Sequence, residues 1–342
     1  MHMTDSLVSV AVGTTMAVVS TGAIGYSIKK IKATELNNNK IPMMGVMGAF
    51  VFAAQMINFT IPGTGSSGHI GGGILLAAIL GPYPAFLAIT SVLLIQALFF
   101  ADGGLLALGC NIFNMGFLTC IVAYPLIYRP LLLKAVTPKR LSLASLLSVV
   151  VGLQLGAFLV VLETTASKVT ELPFGTFVLL MQPIHLAIGI VEGVITGAVL
   201  CFVYRVRKEF ILENIEISFK NKKPLRPVIV IFAVAAVIMG GILSSFASGK
   251  PDGLEWAIQN ITGSSELTNA SDTHTKVKEL QDKTAVLPDY SLGDKENNQI
   301  PETGLSGIIG GAVTLAVTIM AGILIIKLKK NKANRTMASD KI

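Results

Sequence analysis

The chain has 342 residues, of which 52% are apolar and only 14% charged, and its formal net charge is +7. Soluble domains carry ~25% charged residues, and a mean hydropathy of +0.69 excludes an ordinary soluble fold. The positive residues sit between long apolar runs, which makes them topology signals before they are a nucleic-acid footprint. The three cysteines fall inside apolar runs and form neither a disulfide framework nor a CxxC metal pair.

In chain order the apolar runs are 7–28, 43–60, 70–81, 84–101, 105–128, 141–163, 177–204, 228–246 and 305–326. Most have the ~17–25 residues that a spanning helix needs. The first lacks a positive region before it and is followed by positive charge, so it reads as an uncleaved helix and not as a signal peptide. The third is short and glycine-rich, and Gly81-Pro82-Tyr83-Pro84 follows at once. It reads as a short helix in a hairpin or as a re-entrant piece.

Charge sets the topology. Lys29, Lys30, Lys32 and Lys40 follow the first run, and Arg129, Lys134, Lys139 and Arg140 follow the fifth. Arg205, Arg207, Lys208, Lys220, Lys222, Lys223 and Arg226 follow the seventh, and Lys327, Lys329, Lys330, Lys332, Arg335 and Lys341 follow the ninth. If the third and fourth runs each cross, every cluster faces the cytoplasmic side. The expectation is an all-α polytopic membrane bundle of about nine transmembrane helices, seven plus two, with the N-terminus outside and the C-terminus cytoplasmic. Residues 1–206 then form a seven-helix domain and 207–226 a cytoplasmic linker. Residues 227–330 form a two-helix domain with an outside polar segment at 247–304, and 331–342 a cytoplasmic tail. The polar segment has the composition of a flexible chain.

The stretch "IPGTGSSGHIGGG" at 61–73 approaches a phosphate-binding loop, with Gly63 and Gly68 in register. His69 stands where that loop needs its lysine and Ile70 where it needs its hydroxyl. The loop also follows a membrane helix on the outside, so nucleotide binding is rejected.

Four histidines exist: His2, His69, His185 and His274. The topology puts His2 and His69 on the outer face, and the bulky second residue favours retention of Met1. The Met1 amine, the His2 backbone nitrogen and the His2 imidazole can hold one metal in fused rings, and His69 can supply a fourth nitrogen. Four nitrogens in a plane favour Ni(II) or Cu(II) over tetrahedral Zn(II). The plainer alternative is a solvated terminal histidine and a loop-end histidine. Asp102, Asn111 and Asn114 lie at the next outside connection, where they orient His69 or simply cap and join helices. His185 and Glu192 are seven apart on one face of the seventh run, either a proton or metal route or a buried pair that fixes packing. His274 falls in the polar segment and reads as solvated.

"MHMTDSL", "GTGSSGHIGGGILLAAILGPYPA", "QALFFADGGLLALGCNIFNMG" and "HLAIGIVEGVITG" together resemble the NikM/CbiM family, the substrate-capture subunits of nickel and cobalt energy-coupling-factor transporters. "KPDGLEWAI" resembles the PDGLE motif of their small two-span partner component, fused here behind the capture subunit. The resemblance implies that a divalent metal is held by Met1, His2 and His69. Met3 departs from the usual start and adds a thioether nearby. It also implies separate ATPase subunits and a coupling transmembrane subunit as partners. This chain would then be no enzyme and carry no catalytic cofactor, with Ni(II), or alternatively Co(II), as the transported substrate. The setting would be the lipid bilayer of a bacterial or archaeal cell membrane, with no nucleic acid. The PDGLE segment is assigned to loading or to control of the loop near the site, with the charge of Asp252 and Glu255 attracting cations transiently. An ATPase-independent carrier using His185 and Glu192, or a membrane metal sensor or metalloenzyme, is the rival of another class.

Overall fold

The computed structural model describes residues 1–31, 40–215, 226–265, 267, 271–291 and 302–339. Helix α1 spans Val10–Lys30 and α2 Lys40–Gln55. A two-residue hairpin follows, β1 at Phe59–Thr60 paired antiparallel with β2 at Ser67–Gly68. Then come α3 (Gly73–Leu80), α4 (Pro82–Phe100), α5 (Leu108–Leu133), α6 (Pro138–Ser167) and α7 (Phe174–Asn214). The C-terminal part holds α8 (Arg226–Gly241), α9 (Gly253–Thr262), α10 (Asp272–Thr284) and α11 (Glu302–Ser339).

Six of these, α1, α4, α5, α6, α7 and α11, are long and apolar enough to cross a membrane, while α2 and α8 are shorter apolar helices. The third apolar run behaves differently from the rest. Helix α3 has only 8 residues, all buried, and rises ~12 Å. It starts at mid-depth, because the Gly72 N–H donates to Glu192 near the middle of α7 (2.9 Å). It ends beside the last residue of α7, where the Asn214 amide donates to the Ala78 and Ile79 carbonyls (3.0 and 2.9 Å). The glycine-rich loop therefore descends half the length of the bundle before any helix begins. A helix that is apolar on every face suits this enclosed position.

Contacts gather the described basic connections at the end away from Met1. Lys329 donates to the Lys29 carbonyl (3.3 Å), Tyr204 to the Val136 carbonyl (3.1 Å) and Tyr124 to the Asn214 carbonyl (3.3 Å). Helix α7 runs past residue 206 to Asn214, with a break at Arg207 (φ −152°, ψ 73°). Lys32, Lys220, Lys222, Lys223 and Lys341 lie outside the described residues.

The polar segment between α8 and α11 is not a structureless chain over its described residues. Helix α9 opens on a capping box, with Asp252 accepting from Leu254 and Glu255 while Glu255 accepts from the Asp252 N–H. Its Leu254, Ala257 and Ile258 are buried, and the helix packs on α7. Helix α10 folds by serving carbonyls that helix ends leave open. Gln281 donates to the Ala97 and Gly103 carbonyls (3.0 and 2.7 Å), and the Leu287 N–H to Phe99 (3.0 Å). His274 is accordingly buried and not solvated, its Nε2 donating to the Val8 carbonyl (2.9 Å). Composition missed this because the partners of these polar side chains lie elsewhere in the chain.

Candidate metal centre

The first eight residues lie along the connection between α4 and α5. Asn111 clamps the Met3 backbone on both sides, accepting from its N–H (2.8 Å) and donating to its carbonyl (3.1 Å). That carbonyl also accepts from the Gly104 N–H (2.9 Å). One Asp5 oxygen accepts from the Leu106 and Ala107 N–H groups (2.8 and 3.0 Å). Burial pushes the Asp5 carboxyl up, against the pull of those amide donors. Glycine is required at 104, since a Cβ there would lie 1.8 Å from Asp5 Oδ1 and 2.4 Å from its nitrogen.

This docking delivers the first two residues to the glycine-rich loop. The His2 and His69 rings stack with centroids 5.2 Å apart and planes 17° apart. The Met1 amine is bonded to the Asp252 carboxylate. His2 Nδ1 faces Asp102 Oδ1 (3.3 Å), and the other Asp102 oxygen accepts from the Tyr290 hydroxyl (2.6 Å). Tyr290 is itself stacked on Phe100 (4.6 Å, 19°).

The hairpin that carries His69 is held by the segment leading into α9. The Ser67 N–H donates to the Pro251 carbonyl (2.8 Å) and its hydroxyl to the Lys250 carbonyl (2.7 Å). The Trp256 indole donates to the Thr64 carbonyl (2.8 Å). A phosphate loop runs from a strand straight into a helix, whereas here Gly63 and Gly65 turn a hairpin at positive φ.

Burial lowers His2 in spite of the neighbouring Asp102. Burial, then the terminal ammonium and His2, bring His69 down to about 3. Burial works to raise Asp252, but the terminal ammonium and the hydrogen bond from it hold that carboxyl well below the usual range. Both imidazoles are therefore neutral near pH 7 and have a lone pair to offer a cation. The His69 Nδ1 faces the Ile70 carbonyl (3.2 Å), a contact that puts the proton there and leaves Nε2 to ligate. In His2 the nitrogen engaged with Asp102 is the one a fused-ring chelate uses, while Nε2 is buried without a partner among the described residues. Forming that chelate requires the ring to turn over and release Asp102. Among the described residues no three His, Cys, Asp or Glu side chains converge as a metal cage.

The family model for the cobalt uptake substrate-specific transmembrane region, CbiM, matches residues 2–210. The chain belongs to the CbiM family. A model for the PDGLE domain matches residues 226–327, so a CbiM region is followed by a PDGLE region. Over 93% of its length the chain is 30% identical to the putative fused nickel transport protein NikMN of Archaeoglobus fulgidus, covering 96% of that protein. It is 31% identical to the probable fused nickel transport protein LarMN of Lactiplantibacillus plantarum, over 76% of this chain and 79% of that one. A crystal structure described as a truncated transition metal transporter is 32% identical and covers 60% of this chain and 99% of its own, with a TM-score of 0.53. The protein is a multi-pass membrane component of a metal-transport family whose similar members are transporters and not enzymes.

Within the CbiM region the other candidate residues divide. Asp102 does orient an imidazole, but that of His2 and not that of His69. Asn111 holds the Met3 backbone, and Asn114 donates to Glu163 (2.7 Å) and approaches the Met3 sulfur (3.9 Å). The Met3 thioether is fully buried there. His185 and Glu192 do not pair with each other. His185 Nδ1 donates to the Met181 carbonyl one turn back (2.8 Å), and Glu192 accepts from Gly72. The PDGLE region reaches the site directly, with Asp252 bonded to the terminal amine. Tyr290 and Glu163 escaped the sequence reading. An acid ending an apolar run was the only signal for Glu163, and nothing local marked Tyr290.

Proposed function

We propose that this protein is the substrate-specific component of an ATP-driven energy-coupling-factor importer of Ni(II). It captures the ion on the outer face of a bacterial or archaeal cell membrane. The supporting observation is the meeting of Met1, His2 and His69 at one point, with His2 and His69 stacked at 5.2 Å. The substrate is taken by the Met1 amine, the His2 backbone nitrogen, the His2 imidazole and His69, in a square plane. Binding displaces protons from the amine and the amide, so affinity rises with pH. About nine crossings with the N-terminus outside put the basic connections inside, where separate ATPase subunits and a coupling transmembrane subunit engage them. Nickel is favoured over cobalt because the relatives that match across both regions carry nickel names. Two relatives named for cobalt align over 57% and 52% of this chain.

The deciding experiment acetylates the Met1 amine and measures Ni(II) affinity of the purified chain. Acetylation removes the amine ligand while sparing every side chain. A large loss of affinity is expected, and unchanged affinity refutes the chelate. Competition between Ni(II) and Co(II) on the unmodified chain decides the metal.

A further inference from the structure

Below the stacked histidines lies a cavity of ≈ 30 Å³, lined among others by Met1, His69, Asn114, His185, Glu192 and Asp252. His185 is 1% exposed. Its Nδ1 faces the Met181 carbonyl at 2.8 Å, and a carbonyl only accepts, so the proton sits on Nδ1. Nε2 is thereby left as a bare lone pair, buried and without a partner among the described residues. A buried polar atom left unsatisfied is destabilising. Nothing in the packing of α7 requires an imidazole here, because the Nδ1 bond merely returns to the helix's own backbone.

The surroundings keep that lone pair open. Gly253, the first residue of α9, faces it: a Cβ there would lie 2.9 Å from His185 Cε1 and 3.1 Å from Nε2. Asp252 lines the same cavity. A neutral imidazole with its second nitrogen pinned to a carbonyl is the usual form of a metal-ligating histidine. Imidazole beside carboxylate suits the borderline divalent cations, nickel and cobalt among them.

We propose that His185 Nε2, with Asp252 in the same cavity, forms a second and weaker position for the transported divalent cation, directly beneath the capture site. The inference rests on the capture reading above and extends it inward. The ion leaves the terminal chelate for His185, so that release does not pass through a fully unligated cation at membrane depth. The N-terminus of α9 covers this position, which makes the PDGLE region a lid over the transfer step as well as a holder of the loop.

The test uses the full chain with an acetylated N-terminus, which lacks the amine ligand, titrated with Ni(II). One residual, weaker Ni(II) site is expected, and H185Q should abolish it. Gln keeps an N–H for the Met181 carbonyl but removes the imidazole. G253A, a change on α9 that keeps the imidazole, should weaken the same site by crowding Nε2. With a free amine, H185Q should retain the tight site, which also reports that the variant folds. A blocked chain with no residual binding, or residual binding indifferent to H185Q and G253A alike, overturns the proposal. A blocked chain that still binds tightly refutes the terminal chelate instead. In that case loss of a second equivalent in H185Q still supports the inner position, and its retention overturns it.

Discussion

Asn111→Ala isolates the docking of the N-terminal strand from the ligands it carries. The substitution removes both bonds to the Met3 backbone. The Met3 carbonyl keeps the Gly104 N–H as a donor, but the Met3 N–H loses its Asn111 acceptor in a buried place. Leaving that N–H unsatisfied costs about 1–3 kcal/mol, and the second bond contributes about 0.5–1.5 kcal/mol. The docked strand is thus weakened by about 2–4 kcal/mol. Because the Met1 amine and His2 reach His69 only when the strand is docked, the penalty passes in full to metal binding for a strand that is marginally docked without metal. At 1.4 kcal/mol per factor of ten, Ni(II) affinity should fall roughly 30- to 1,000-fold. The assay is competition against a chromophoric chelator on the purified chain. Fluorescence of Trp256, the only tryptophan, checks that the hairpin is still bonded to α9. If N111A binds Ni(II) within a few-fold of wild type while Trp256 is undisturbed, the strand is not what positions the ligands.

Gly104→Ala attacks the same docking through sterics, because the added carbon would stand 1.8 Å from Asp5 Oδ1. Loss of high-affinity binding with the membrane bundle still folded is expected, and a normal titration would show that the strand can shift without consequence. Tyr290→Phe removes the hydrogen bond to Asp102 (2.6 Å) but keeps the stack on Phe100. Asp102 is partly exposed and water can replace the lost donor, so a fall of no more than about tenfold is expected. A larger loss would mean that Asp102 needs the tyrosine to face His2. The pH dependence follows from His69, whose folded value is lowered to about 3 from 6.5. Above 6.5 neither the docked nor the released imidazole binds a proton, and the docked loop carries no penalty. Below 6.5 only the released form does, so docking weakens by about 1.4 kcal/mol per pH unit until about pH 3. Stopped-flow Trp256 fluorescence of the metal-free chain should therefore report loop opening between pH 6 and 4, and a flat response would contradict the burial of His69.

Much of the architecture was legible because its causes are local. A run of apolar residues excludes water from its own backbone only as a helix, so eight of the nine runs appear as apolar helices of 16 residues or more. The third run traverses the bundle half as loop and half as an eight-residue helix, a division its hydropathy hides because a loop that lines protein at depth looks in sequence like a loop outside. Tertiary contacts such as the bond from Gly72 to Glu192 reveal how deep it goes. His2 and His69 were paired in advance from their chemistry, one beside a free amine and one in a loop of glycines. Asp102, Asn111 and Asn114 were noticed for their place at one connection, but the three-residue spacing of Asn111 and Asn114 says which face two side chains share and not what that face meets.

What the sequence determined by itself was therefore the membrane class, the end of the bundle where the basic connections gather and the residue types able to hold a borderline metal. Tertiary structure alone decided which groups complete the site. Met1 meets Asp252 across 251 positions, and Asp102 meets Tyr290 across 188. Such contacts depend on helix packing and on where α9 and α10 find open carbonyls, neither of which leaves a periodic trace in the chain. Hydropathy and charge act on each segment against its solvent. The site is made where segments act on one another.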